Sequence, residues 1–230
     1  VAEIQKPEFL SRIGTPSVRL KDVESFLKAV DTGNQEALKI IKKRPFQWWK
    51  EVVPANQAVE AETERYFSSP LLIATGDLNS CWACLGRHEV EGKSQGFIAH
   101  KLMPNKLVFE GLGRISKDHS SQLEGALRGE CLILYPKGHV RECGGYQYLE
   151  SRGDAGRLKP RDVSEEEILQ TMVEDVSALL PKHRLSFRGY EQGPAMEGHR
   201  YMTFPRSLFF EIDTGEWIMP GTKLQGKFDV

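Results

Sequence analysis

The sequence is short of charge of either sign in excess. Its 31 lysines and arginines nearly cancel 32 aspartates and glutamates, leaving a net charge of −1. No chain-wide basic field advertises nucleic acid, so a polyanion would have to be met by a local patch. Long apolar runs are missing too, and no membrane-spanning helix is expected. Cysteine is sparse, with Cys81, Cys84, Cys131 and Cys143. Two disulfides could be drawn, but the C-x2-C spacing reads more naturally as metal or redox chemistry. The expected compartment is therefore intracellular and reducing, either the nucleus or an organelle interior. With 40% hydrophobic and 27% charged residues, the composition is that of a folded chain, not a disordered or fibrous one. A length of 230 residues suffices for one domain with a sizeable core plus an extension.

Residues 1–18 read as an extended lead-in. Val23, Phe26, Leu27 and Val30 then recur at helical spacing, Thr32-Gly33-Asn34 interrupts, and Ala37, Leu38, Ile40 and Ile41 resume the pattern. This predicts a helical hairpin. Pro45 ends it, and Phe46, Trp48 and Trp49 form an aromatic knot ahead of Pro54. Such aromatics either anchor the helices to the main domain or offer a stacking surface to a nucleotide or partner. Residues 56–67 carry a further helical pattern, with Val59, Thr63 and Phe67 on one side.

From Pro70 the texture changes. Strands are expected at Leu71–Ala74, Phe97–Ala99, Lys106–Phe109, Cys131–Tyr135, Leu185–Tyr190, Tyr201–Phe204 and Leu208–Ile212, the last running through Asp213-Thr214-Gly215 into Trp217-Ile218. Residues 114–124 read as a loop or short helix, and Gly144–Arg161 as a surface insertion. The clearest helix follows: Ser164 and Glu167 form a capping box, and Ile168, Leu169, Met172, Val173, Val176, Leu179 and Leu180 make one apolar face up to Pro181. The fold class is α+β, with a boundary near residue 68 between a helical N-terminal extension (1–68) and an α+β domain (69–230).

Cys81-Trp82-Ala83-Cys84 has the spacing at which two thiolates grip one tetrahedral ion, the residues between forming a knuckle. That is half a site. His88, His100, His119, His139, Cys131, Cys143 and His199 could complete it, and the H-x3-C spacing of His139 and Cys143 ranks those two highly. The plain alternative is two small cysteines in a core. Asn79-Ser80-Cys81-Trp82 also resembles the nucleophile segment of papain-like cysteine proteases, with His139 as base. Such a nucleophile starts a helix whose dipole lowers the thiol pKa, whereas Gly86, Gly92 and Gly96 follow quickly here. Lys42, Lys43, Arg44, Arg184, Arg188, Arg200 and Arg206 could contact phosphates, against the commoner fate of solvated surface.

Three segments together carry a resemblance. Cys81-Trp82-Ala83-Cys84-Leu85, then Leu134-Tyr135-Pro136-Lys137-Gly138-His139-Val140, then Gly198-His199-Arg200-Tyr201-Met202-Thr203-Phe204-Pro205-Arg206 look like the histidine-triad superfamily. The CwfJ-type branch, associated with splicing and intron-lariat turnover, is the most similar. Phe209-Phe210-Glu211-Ile212-Asp213-Thr214-Gly215-Glu216 resembles an acidic strand-turn piece downstream in that family. The resemblance spans residues 78–218. It implies an antiparallel sheet with a long crossover helix and a zinc ion held by Cys81, Cys84, His139 and His199, with Cys143 competing for the fourth position. His88, His100, His119 and His183 are left as ordinary histidines.

In an active member, alternating histidines on the last strand attack and stabilise a nucleotide α-phosphate. Here Tyr201 and Thr203 occupy the positions alternate to His199, and the register from His199 to Pro205 is one residue short. No catalytic residue is therefore assigned, and a surviving activity would use His199. What the resemblance implies is a pseudoenzyme that binds protein subunits of a ribonucleoprotein, with RNA as a further partner contacted through Arg184, Arg188, Arg200 and Arg206. A nucleotide hydrolase or transferase using His199 is the competing reading.

Overall fold

The computed structural model describes residues 7–61, 63–68, 71–78, 81–90, 92–101, 129–137, 183–191 and 206–229. It also describes the helical positions Glu166, Leu169, Gln170, Val173, Glu174 and Ser177. The protein is mixed α+β. Helices α1 (Glu8–Arg12), α2 (Leu20–Asp31), α3 (Gln35–Lys43) and α4 (Trp49–Val52) come first. Strands β1 (Ala58–Val59), β2 (Thr63–Ser68), β3 (Leu72–Leu78), β4 (Trp82–Val90), β5 (Lys93–Lys101), β6 (Gly129–Pro136), β7 (His183–Tyr190), β8 (Arg206–Glu211), β9 (Glu216–Ile218) and β10 (Gln225–Lys227) follow. They form two five-stranded sheets, one ordered β1-β3-β8-β9-β10 and the other β2-β5-β4-β6-β7.

The expected helical hairpin is α2 and α3. Leu20, Val23, Phe26 and Val30 are buried at helical spacing. The first turn closes on itself, the Arg19 backbone N–H donating to Asp22 Oδ2 at 3.0 Å. Gly33, at φ +78°, reverses the chain. The Asn34 side chain then accepts from the Glu36 and Ala37 backbone N–H groups at 3.0 and 3.1 Å, starting α3 as an N-cap should. The hairpin shares one core with Trp48, Trp49, Leu72, Ala74, Phe209 and Ile218. Burial of side chains such as Phe26 and Phe209 contributes about 1.5–3 kcal/mol each. Both tryptophans are thus packing anchors: Trp48 lies 5.5 Å from Phe209 between ring centroids, and the Trp49 indole covers Gly76. A Cβ at Gly76 would stand 1.9 Å from Trp49 Nε1, so only glycine fits there.

Residues 56–67 depart from the helical expectation. A 3₁₀ turn at Ala55–Gln57 leads directly into β1 and β2. Thr63, Tyr66 and Phe67 favour strands, and β2 pairs with β5 from Thr63↔His100 to Ser68↔Gln95. Tertiary pairing overrides a four-residue apolar spacing that either structure could display. The pairing also links residues on the two sides of position 68. β4 had no counterpart among the expected strands. Residues 106–109, 114–124, 144–161 and 201–204 lie outside the described residues, as does the continuous span of the 164–180 helix.

The sheets are mixed, not antiparallel throughout. β1 runs parallel to β3, and β6 parallel to β7. Two parallel neighbours need a long crossover connection, which residues 138–182 are long enough to supply. Leu169 and Val173 are half-buried while Glu166, Gln170, Glu174 and Ser177 are exposed.

Between the sheets lies a second core, with Ile73, Leu78, Leu208, Phe210 and Ile212 from one side meeting Ala83, Leu85, Ile98, Leu132 and Leu134 from the other. In β3, Leu72 and Ala74 face the helices while Ile73 faces the opposite sheet. A bulge between Thr75 and Leu78, with Asp77 at φ +62°, turns Leu78 inward as well. The far side of the second sheet is also covered, since Trp82, Cys84, Phe97, Ala99, Cys131 and Ile133 are buried.

Candidate functional site

The two cysteines of the C-x2-C pair occupy different surroundings. Cys81 immediately precedes β4, and its side chain joins the core between the sheets. Its thiol points to the Asp77 carbonyl oxygen at 3.9 Å. Cys84, three residues on, faces the other way, because a strand sends successive side chains to opposite faces. Its sulfur lies 3.2 Å from Cys131 Sγ on β6. One tetrahedral ion would need both sulfurs at about 2.3 Å. In this structure Cys81 and Cys84 lie on opposite sides of the sheet, Cys81 in the core between the sheets and Cys84 beside Cys131. Contact with Cys131, and then burial, raises the Cys84 thiol pKa well above its ordinary value. His139, Cys143 and His199 lie outside the described residues. Among the described residues, no three His, Cys, Asp or Glu side chains converge as metal ligands would.

The same placement bears on the protease reading. Cys81 leads into strand β4, no helix starts at it among the described residues, and the residue is buried. His100 is fully buried and held by Thr75 at 2.8 Å from its Nδ1. The single Thr75 hydroxyl proton goes to the Val59 carbonyl at 2.6 Å. Thr75 therefore accepts from His100, which carries its proton on Nδ1. His88 contacts Gln95 through Nε2 at 3.3 Å. Both histidines serve structural polar contacts.

The basic residues separate in the same way. Arg206 is buried and donates to the Gly221 carbonyl at 3.0 Å, with burial lowering its pKa. Arg200 lies outside the described residues. Arg184 and Arg188 are exposed and alternate along β7, the last strand of its sheet among the described residues.

Those two arginines line a cleft of about 420 Å³ between β7 and the β9–β10 hairpin. Lys223 and Lys227 come to the same cleft from the other sheet, with Glu130 and Asp229 as its carboxylates. Arg184 pairs with Glu130 at 3.3 Å and Asp229 at 3.8 Å, and Lys227 with Glu216 at 3.7 Å. Arg188 and Lys223 carry no ion pair among the described residues. Lys223 and Lys227 were not singled out from the sequence; the Pro220-Gly221 turn ahead of them was the available signal.

A larger cleft, about 810 Å³, lies across the same hairpin against α2. Its cations Arg19, Lys21 and Lys227 face Glu24, Glu211 and Glu216. Arg19 is committed to Glu211 and Asp213, and Glu211 also accepts from the Leu20 backbone N–H at 3.1 Å. This cleft is electrically balanced, and its strongest polar contacts hold the helices to the sheet.

Compared with known proteins, the chain matches no family model and no curated sequence.

Proposed function

We propose that this protein is a non-catalytic binding component of an RNA-containing assembly, and that the cleft between β7 and the β9–β10 hairpin takes the phosphate backbone. The observation that carries this reading is the pair Arg188 and Lys223, two cations without acidic partners among the described residues at one cleft. Charge on β7, an end strand among the described residues, would also discourage edge-to-edge sheet pairing. That role needs charge on β7 alone, whereas Lys223 and Lys227 arrive from the other sheet. The non-catalytic part draws support from Tyr201 and Thr203 beside His199, which interrupt the triad pattern. It draws support too from His100, Cys84 and Cys131, which are buried in contact with Thr75 or with each other. No zinc ion at Cys81 and Cys84 enters this reading.

The test is binding of a labelled single-stranded RNA across a salt series. Arg188→Gln with Lys223→Gln should weaken binding and lower the slope of log K against log salt by about 1.4, the value for two lost phosphate contacts on a single strand. An unchanged slope would remove the cleft from the reading. Turnover of a nucleotide substrate that disappears in His199→Ala would replace binding with catalysis.

A further inference from the structure

The aromatic knot that the sequence offers for stacking divides in the fold. Trp48 and Trp49 go into the core, whereas Phe46 is 69% exposed. A solitary surface phenylalanine is ordinary, but this one is mounted with care. The Gln47 backbone N–H donates to the Arg44 carbonyl at 3.0 Å, closing a four-residue turn with Pro45 and Phe46 at its centre. Proline fixes one backbone angle of that turn. The turn is held from both sides. Before it, Ile41 is buried on α3; after it, Trp48 packs on Phe26 and Phe209, and Gln47 Nε2 donates to Asp77 Oδ2 at 3.0 Å. A ring presented this way loses little freedom on contact.

Cations precede the ring. Lys42, Lys43 and Arg44 are all exposed. Lys43 and Arg44 share the single carboxylate of Glu51, at 3.7 and 3.3 Å, while Lys42 has no ion pair among the described residues. Basic side chains at the end of α3 also suit its dipole, which accounts for Lys42 and Lys43 but not for an exposed ring beside them.

We infer that the Arg44–Gln47 turn is a base-stacking contact for single-stranded RNA. The Phe46 ring takes an unpaired base and Lys42, Lys43 and Arg44 take neighbouring phosphates. Sequence-tolerant single-strand binders combine these elements, since every base has a π-face and every nucleotide a phosphate. The inference rests on the RNA-binding reading above and adds a second contact to it.

Two probes separate the cases: a labelled single-stranded oligoadenylate and a blunt RNA duplex of equal length. Phe46→Ala should weaken single-strand binding roughly tenfold and leave duplex binding within a factor of two. Phe46→Trp should restore single-strand affinity, because indole offers a larger stacking surface. Far-ultraviolet circular dichroism of both variants should match the parent, as the ring is exposed. Equal weakening for both probes, or no weakening in Phe46→Ala while the parent binds, overturns the stacking contact and leaves the cleft reading standing. A parent that binds neither probe overturns both. Phe46-dependent retention of a protein partner with unchanged RNA affinity assigns the turn to protein docking and overturns the stacking role.

Discussion

Two clefts flank the β9–β10 hairpin, and they share Trp217, Gln225, Gly226 and Lys227. On the α2 side, Glu211 receives both the Arg19 guanidinium and the Leu20 backbone N–H, while Asp213 takes a second Arg19 nitrogen. On the β7 side, Arg188 and Lys223 stand at the cleft with no ion pair among the described residues. Cations alone do not make a binding surface. A cation gripped by the buried Glu211 holds the structure together, whereas one left over, or sharing a partly exposed carboxylate, is available to a ligand.

The comparison can be broken most forcefully at Glu211, which is buried with its partners around it. Glu211→Ala would leave Arg19 without one of its two carboxylates and strip the Leu20 N–H of its acceptor. A loss of about 2–4 kcal/mol is expected, discounted from the fully buried case because Arg19 is partly exposed. Urea denaturation measures it, and a loss below about 0.5 kcal/mol, ordinary surface behaviour, would show the α2 side to be no more structural than the β7 side.

A smaller effect is expected at Asp22. Burial works against its ionised form, but hydrogen bonds from Arg12 and from the Arg19 backbone N–H outweigh burial, so its pKa is lowered from the ordinary 3.8. A depressed carboxylate binds fewer protons folded than unfolded. Its contribution is therefore fully present above the ordinary value and fades as pH falls below it. The stability difference between the parent and Asp22→Asn should shrink in acid. A difference independent of pH would dismiss the ion pair as its source.

The smallest effect belongs to the β7 side. Replacing Arg188 and Lys223 by glutamine should change folding stability by no more than about 0.5 kcal/mol, because exposed cations with no ion pair among the described residues contribute little to the fold. A loss comparable to that of Glu211→Ala would erase the distinction between the two clefts.

Legibility followed the same division between local and distant. The α2–α3 hairpin could be read because its apolar spacing and its Asn34 cap are properties of adjacent residues. β6, β7 and β8 stood out as compact runs. β4 did not, because Trp82, Ala83, Cys84 and Leu85 are buried on both faces of the sheet, leaving no alternation to see. Its cysteine spacing drew attention as a metal motif instead. The 56–67 stretch misled for a related reason: Val59, Thr63 and Phe67 recur every four residues, and only pairing with β3 and β5 showed that segment to be strand.

The residues by themselves determined the α+β class, the helical hairpin and the presence of exposed-type cations at Arg184 and Arg188, since each depends on short-range pattern and side-chain chemistry. Tertiary structure alone decided that Cys81 and Cys84 turn away from each other, that Phe46 stays out while Trp48 and Trp49 go in, and that Lys223 lines one cleft with Arg188. The direction a side chain faces is set by the sheet it belongs to. The neighbours it finds there come from parts of the chain that local spacing does not connect.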